Sequence, residues 1–285
     1  MSYKYNPRYY RKSYRWYRGN ISSLKSGYKK MTPEIFRNMN KLYHYTSLNS
    51  GMLILLSRTF IMSHPSKMND INESYRPTFS SGCEYKDVET EMKKYFQSSF
   101  TLDDGRVPGF AIPAMWGHYA DKGRGMCLVF DKRKLLSRIE SYGCYYGKIA
   151  YDKKYEPSII VEDNPRQYIR RYIKDVFFTK SNDWAYEREF RVVCRAESKT
   201  VEIDLSDCII GVIVYNFDDM DSGDKVISSP TYKNLVNRIK RMNIPVLALE
   251  QDLLNSQYNL MEYESNPDGE YWFPAKDNTQ IVDII

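Results

Sequence analysis

A chain of 285 residues with 42% hydrophobic content has enough apolar material for one sizeable core or two small ones. No apolar run reaches about eighteen residues, and no apolar stretch follows the basic N-terminus, which argues against a membrane span and a secretory signal. The formal charge of +6 is local: residues 1–30 hold nine Lys/Arg and no acid, whereas the last 36 residues, from Glu250, carry eight acids and one lysine.

In chain order, residues 1–30 read as an irregular arm in which Tyr3, Tyr5, Tyr9, Tyr10, Tyr14, Trp16 and Tyr17 interleave with Lys4, Arg8, Arg11, Lys12, Arg15 and Arg18. Such a mixture suits phosphate neutralisation and base stacking, and equally suits a solubilising tail or a strap on the domain surface. Lys41–Thr46 reads as a short aromatic strand. Ser47 caps a helix with Leu48, Met52, Leu55 and Leu56 on one side, despite Gly51 inside it. Another short strand follows over 59–63, then a loop over 64–75 built on a proline and the turn formers Asn69, Asp70 and Asn72. Val88, Met92, Tyr95 and Phe96 repeat at helical spacing. Pro113 opens a short helix carrying Trp116 and Tyr119, a glycine-bearing turn spans 121–125, and 126–130 reads as a buried strand. A helix over 168–176, strands over 184–195, 208–215 and 245–250, and a basic helix near 231–241 complete the pattern. Strands and helices follow one another without strict alternation, which points to an α+β fold. The simplest organisation is the basic arm followed by one domain over 31–285, with an acidic extension from about 250.

Few side chains offer themselves for chemistry. The three histidines, at 44, 64 and 118, have no ligand spacing with a cysteine or carboxylate, so no metal is expected. The five cysteines are scattered and odd in number, without a C-x-x-C pair. Cys127, Cys194 and Cys208 sit in apolar runs as small core residues, and reduced thiols in a cytoplasmic protein are the expectation. No glycine pattern matches a phosphate-binding loop. His44 within Leu42-Tyr43-His44-Tyr45-Thr46 fits either a structural hydrogen bond or a functional group. In Glu187-Arg188-Glu189-Phe190-Arg191-Val192, strand periodicity puts Glu187, Glu189 and Arg191 on one face. Two carboxylates so placed are costly unless used in chemistry or paired in a ladder with Arg188, Arg191 or Arg195.

Taken together, three of these runs resemble the His-Tyr-Glu signature of the ADP-ribosyltransferase superfamily. They are His44 in its aromatic strand, Tyr119 ahead of Gly125-Met126-Cys127-Leu128-Val129, and Glu189-Phe190-Arg191-Val192. The chain is also similar, over roughly residues 41–215, to a bacterial family of unknown function. The shared motifs are Leu-Tyr-His-Tyr-Thr at 42–46, Ser-x-Pro-Ser-x-x-Asn-Asp at 63–70, Trp-x-x-Tyr-Ala at 116–120 and Trp-x-x-Glu-x-Glu-Phe-Arg at 184–191.

The superfamily resemblance implies a split, mixed or antiparallel sheet with flanking helices and an NAD-dependent mono-ADP-ribosyltransferase with NAD as co-substrate. By that resemblance, His44 binds the adenosine-side ribose and the backbone of Tyr45 holds the nicotinamide amide. Tyr119 stacks on nicotinamide, and Glu189 binds a ribose hydroxyl beside the scissile bond. Thr46, Trp116 and Asn69 complete the implied NAD-binding set, with Asp70 and Glu73 bordering it, and Glu187 and Arg191 lie on the acceptor side. The macromolecular acceptor is a nucleic acid, RNA before DNA, or a protein; the basic arm favours nucleic acid. A bacterial toxin or phage-defence effector is the implied role. Two other readings stand: an NAD glycohydrolase, in which water replaces the acceptor, and an inactive module that binds nucleic acid.

Overall fold

A computed structural model describes residues 40–65, 85–103, 107–152, 164–216, 230–252, 257–262 and 280–283. Lys41–Ile210 forms one compact unit, and the described residues from Gly211 onward belong to another. The arm at 1–30, Asn69, Asp70, Glu73 and Cys83 lie outside the described residues.

The first unit begins with β1 (Lys41–Thr46), α1 (Leu48–Ser57), β2 (Thr59–Ile61), α2 (Tyr85–Met92), β3 (Tyr95–Thr101), α3 (Pro113–Tyr119) and β4 (Met126–Asp131). It continues with α4 (Lys132–Ser141), β5 (Tyr145–Lys148), β6 (Ala150–Asp152), α5 (Pro165–Arg171), α6 (Ile173–Phe177), β7 (Thr179–Ser181), β8 (Glu189–Arg195) and β9 (Glu202–Asp204). Five strands lie in the order β4-β1-β3-β8-β5, every pair antiparallel. Two small pairs accompany them, β2 antiparallel to β9 and β6 parallel to β7.

This sheet opens in its middle. Six residue pairs join β1 to β4 and seven join β3 to β8, but β1 meets β3 only at Tyr43 and Thr101. Beyond that pair the two strands diverge, and the space between them becomes the candidate site.

Helices cover both faces of β1 because its side chains alternate. Tyr45 packs edge-on against Trp116 of α3, at 5.1 Å between ring centroids. Met126, opposite Thr46 in the register, faces the other way and meets α1. There Gly51 allows a close approach: a Cβ at that position would stand 2.4 Å from Met126 Sδ, at the flexible end of that side chain. The helical face expected from Leu48, Met52, Leu55 and Leu56 is therefore turned. Gly51 and Leu55 are buried and Leu56 is exposed. Ser47 caps α1 as expected, its Oγ accepting from Ser50 N–H.

Three other segments differ from the sequence reading. Tyr95 and Phe96 open β3 rather than close a helix, because α2 ends at Met92 and an aromatic and hydroxyl-rich run with high β propensity takes over. A single helix over 168–176 is two, parted at Tyr172, whose ψ of 30° lies outside the helical range. The strand expected from Trp184 starts only at Glu189. Asn182–Glu187 is a 3-10 turn, and Arg188 leaves it in the left-handed region at φ 46°.

The second unit contains β10 (Ile209–Tyr215, which begins at the end of the first), α7 (Pro230–Arg241), β11 (Val246–Asp252), β12 (Gln257–Glu262) and β13 (Gln280–Asp283). Strand β10 is parallel to β11, and β11-β12-β13 is antiparallel. Helix α7 buries Tyr232, Leu235, Val236 and Ile239, the spacing of one helical face. The chain is thus mixed α+β with mostly antiparallel pairing, and among its described residues no helix is long and apolar enough to cross a membrane.

The expected reduced state of all thiols is corrected. Cys144 and Cys194 form a disulfide, with Cα atoms 4.4 Å apart, while Cys127 and Cys208 are buried free thiols. The β5–β8 register sets Tyr145 opposite Val193, so the residues one step outward, Cys144 and Cys194, also face each other. Nothing in their sequence spacing carries that register.

Candidate active site

Where β1 and β3 part, a cavity of about 440 Å³ opens, within the range that holds a small-molecule ligand. His44, Tyr45 and Thr46 of β1, Ser99 of β3, Tyr119 of α3, Lys180 of β7, Glu187 and Glu189 all line it. Its other wall is apolar, with Ile54 and Phe60 inside and the exposed Leu53 and Ile61 at the rim. Residues of both sheet faces contribute, which the divergence of β1 from β3 makes possible.

His44 spans the opening. Its Nδ1 lies 3.0 Å from Ser99 O, and since a carbonyl only accepts, Nδ1 carries the proton. Burial lowers the imidazole pKa more than this bond raises it, so the ring is neutral at pH 7 and Nε2 is an acceptor. Phe60 packs edge-on against the ring at 4.7 Å. The bond replaces part of the strand pairing missing here, so the structural use of His44 weighed from sequence is met, and the same tautomer leaves an acceptor atom over.

The second group is a buried charge cluster. Glu187, Glu189, Lys180 and Arg191 are all between 2% and 6% exposed. Lys180 Nζ donates to Glu187 Oε2 at 2.7 Å and to Glu189 Oε2 at 3.2 Å, and it sits 5.1 Å from the centre of the Trp184 ring. Arg191 donates through Nε and Nη2 to the two oxygens of Glu189, at 2.6 and 2.8 Å, and through Nη1 to Phe177 O. Ser99 Oγ donates to Glu189 Oε1 at 2.6 Å, and Tyr119 donates its hydroxyl to Glu187 Oε1. The two glutamates do not converge by strand alternation, since Glu187 precedes the strand. Left-handed Arg188 turns the chain between them, anchored by Nη1 to Val107 O at 2.5 Å and by Leu102 N–H to its own carbonyl.

These surroundings drive the two carboxyl groups apart. Burial alone would raise Glu189, but Arg191, Lys180 and the Ser99 hydroxyl overcome it and hold the carboxyl at about 2. For Glu187 burial prevails over Lys180 and Tyr119, and its pKa is raised. One carboxylate is held in its ionised form and the other is made more basic than an ordinary carboxylate, a pairing that can serve an electrostatic stabiliser beside an acid–base group. Of the ladder partners weighed from sequence, Arg191 pairs with Glu189, whereas Arg195 pairs with Glu91 and Glu197.

Other residues singled out from sequence are placed differently. Trp116 is buried outside the cavity lining, its Nε1 donating to Phe110 O at 2.8 Å. Tyr45 points its ring into the same aromatic packing and donates its hydroxyl to Gly109 O, so only the rest of the residue borders the cavity. Arg191 touches Glu189 and is not in the lining. Ser99 and Lys180 were not anticipated. The segment of the first reads as the end of a helix through Tyr95 and Phe96, and no local signal marks the second. Among the described residues no three His, Cys, Asp or Glu side chains group to hold a metal.

Residues 115–192 match a family described as a protein of unknown function (DUF2971). That span holds Tyr119, Lys180, Glu187, Glu189 and Arg191, and leaves out His44 and Ser99. No curated protein and no solved structure matches the chain.

Proposed function

We propose that this chain is an NAD-dependent mono-ADP-ribosyltransferase. The observation that carries the reading is that His44, Tyr119 and Glu189, separated by 75 and 70 residues, meet at one cavity in a split antiparallel sheet. Cleavage of the nicotinamide–ribose bond develops positive charge on the ribose, and a preorganised anion beside it lowers the barrier. Glu189 meets that need, because Arg191 and Ser99 fix its position and ionisation before substrate arrives. A ribose hydroxyl can donate to Nε2 of neutral His44. The Tyr119 ring and the wall of Ile54 and Phe60 suit a flat aromatic ring such as nicotinamide, whose positive charge in NAD is lost as the bond breaks.

All the lone-pair positions of Glu189 are engaged by Arg191, Ser99 and Lys180. A ribose hydroxyl must therefore take over one of these bonds, and that of Lys180 is the longest. Lys180 then stays with Glu187. The macromolecular acceptor in this reading is a nucleic acid, RNA before DNA, supported by the basic, aromatic composition of residues 1–30. Thr46 borders the same wall, and Asn69 belongs to the proposed NAD set on sequence grounds.

The test is incubation of the full chain with labelled NAD and total RNA, DNA or cell protein, scoring macromolecular label, nicotinamide and free ADP-ribose. Label in a macromolecule with nicotinamide release is expected, reduced by about 10²–10³-fold in Glu189→Gln, as for loss of one preorganised electrostatic group. Neither label nor nicotinamide release would sink the reading, and free ADP-ribose alone would make the chain a hydrolase.

A further inference from the structure

We infer that the acceptor attacked in this cavity is an electrically neutral hydroxyl group, not a guanidinium, and that Lys180 enforces the choice. The inference rests on the transferase reading and adds the class of the nucleophile.

Charge is the first part of the argument. Before NAD binds, the two carboxylates that could attract a cation, Glu187 and Glu189, are joined by Lys180 Nζ, at 2.7 and 3.2 Å, and Glu189 is also chelated by Arg191; with a ribose hydroxyl on Glu189, Lys180 remains on Glu187. Two acids and two bases offset one another, all of them buried. A guanidinium entering beside them would lose its hydration and meet the Lys180 ammonium, where each carboxylate is already ion-paired. A hydroxyl brings no charge and loses little hydration.

Proton transfer is the second. A hydroxyl must give up its proton as it attacks, which requires a base. Glu189 is too acidic for that task. Glu187 lines the cavity, its oxygens held by Tyr119 and Lys180 with a lone pair left on each, and burial keeps it more basic than an ordinary carboxylate. The step balances without a further reactant. The acceptor oxygen bonds to the anomeric carbon, and the carbon–nitrogen bond breaks with its electron pair passing to the nicotinamide ring. The hydroxyl proton moves to a Glu187 oxygen and from there to water.

The experiment uses the full chain with labelled NAD and two small acceptors, methanol and agmatine, at matched concentration, quantifying nicotinamide, methyl ADP-ribose and ADP-ribosyl-agmatine. Methyl ADP-ribose should exceed the agmatine product by at least about tenfold, the scale of a pocket's discrimination between related groups. In Lys180→Met the agmatine share should rise by a similar factor, whereas Lys180→Arg, which keeps the charge, should retain the wild-type preference. If Lys180→Met does not fold, the wild-type partition decides alone. An agmatine product equal to or above the methyl product, with nicotinamide released, overturns this inference and leaves the transferase reading standing. An unchanged partition in folded Lys180→Met overturns the role of Lys180. No nicotinamide release from the wild type overturns both readings.

Discussion

Glu189 has two tasks, and its substitution tests them separately. Glu189→Gln keeps the shape and leaves Arg191 and Lys180 with less negative charge to offset. Breaking a buried pair of this kind costs about 3–5 kcal/mol, so urea unfolding must accompany every activity assay. The pH dependence has a definite sign. The folded carboxyl of Glu189 lies at about 2, below its ordinary 4.5, so its stabilising contribution is complete above 4.5 and is lost as pH falls toward 2. That shift corresponds to roughly 3 kcal/mol, and unfolding curves at pH 7 and pH 3 should show Glu189→Gln losing this acid sensitivity. Glu187 runs the other way. Its raised pKa favours the folded state below 4.5, and that contribution disappears as pH rises through the folded value. Glu187→Gln should therefore destabilise the protein less at pH 7 than Glu189→Gln does, as read in the same unfolding curves. Equal losses would mean that Lys180 depends on both carboxylates alike.

Among the elements, close approaches decide more than propensity does. A Cβ on Gly125 would stand 2.2 Å from Thr46 O and 2.8 Å from the Ala120 carbonyl carbon, backbone atoms that cannot move aside. At Gly51 the obstacle is the flexible end of Met126. Gly125→Ala should thus destabilise by more than about 3 kcal/mol, beyond the usual cost of overpacking, and Gly51→Ala by about 1 kcal/mol. Thermal unfolding of the two variants ranks them, and the reverse order would show that β1 and the turn before β4 are not packed as described. Sequence pattern identified β1, α1, β2, α3, β4, β10, α7 and β11, because each shows helical spacing, an aromatic strand or a short apolar run bounded by caps or turn formers. It missed β3, whose seven residues present Tyr, Phe, Ser and Thr on both faces, and the 3-10 turn before β8, because Trp-Ala-Tyr-Glu satisfies a strand pattern equally well; it offered no element at α4, β5, β6, β7, β9, β12 or β13. The left-handed residue at 188 is an arginine, which sequence gives no reason to place there. Glu189, His44 and Tyr119 were legible through the resemblance of their motifs. Ser99 and Lys180 were not, because each matters only through a partner about 90 or 9 residues away across the fold.

For the whole molecule, the disulfide is the sharpest test of the tertiary arrangement. Cys144 and Cys194 close a loop with a sequence separation of 50, for which chain entropy gives about 4 kcal/mol. Alkylation under denaturing, non-reducing conditions should leave the peptides holding Cys144 and Cys194 unlabelled until reductant is added, and Cys194→Ser should lower the unfolding free energy by an amount of that order. Labelling of both cysteines without reductant would show instead that the β5–β8 register brings two thiols together without joining them. Composition and local pattern by themselves determined the α+β class, several of the long elements, the basic composition of residues 1–30 and the resemblance of three motifs to a transferase signature, since these depend on residues near one another in the chain. Only the tertiary structure decided which side chains share a cavity, which cysteines pair, and how two glutamates in one short motif have their pKa values shifted in opposite directions. Those properties follow from strand register, from the parting of β1 and β3, and from a lysine and an arginine brought in by the fold, where distance in space outweighs distance in sequence.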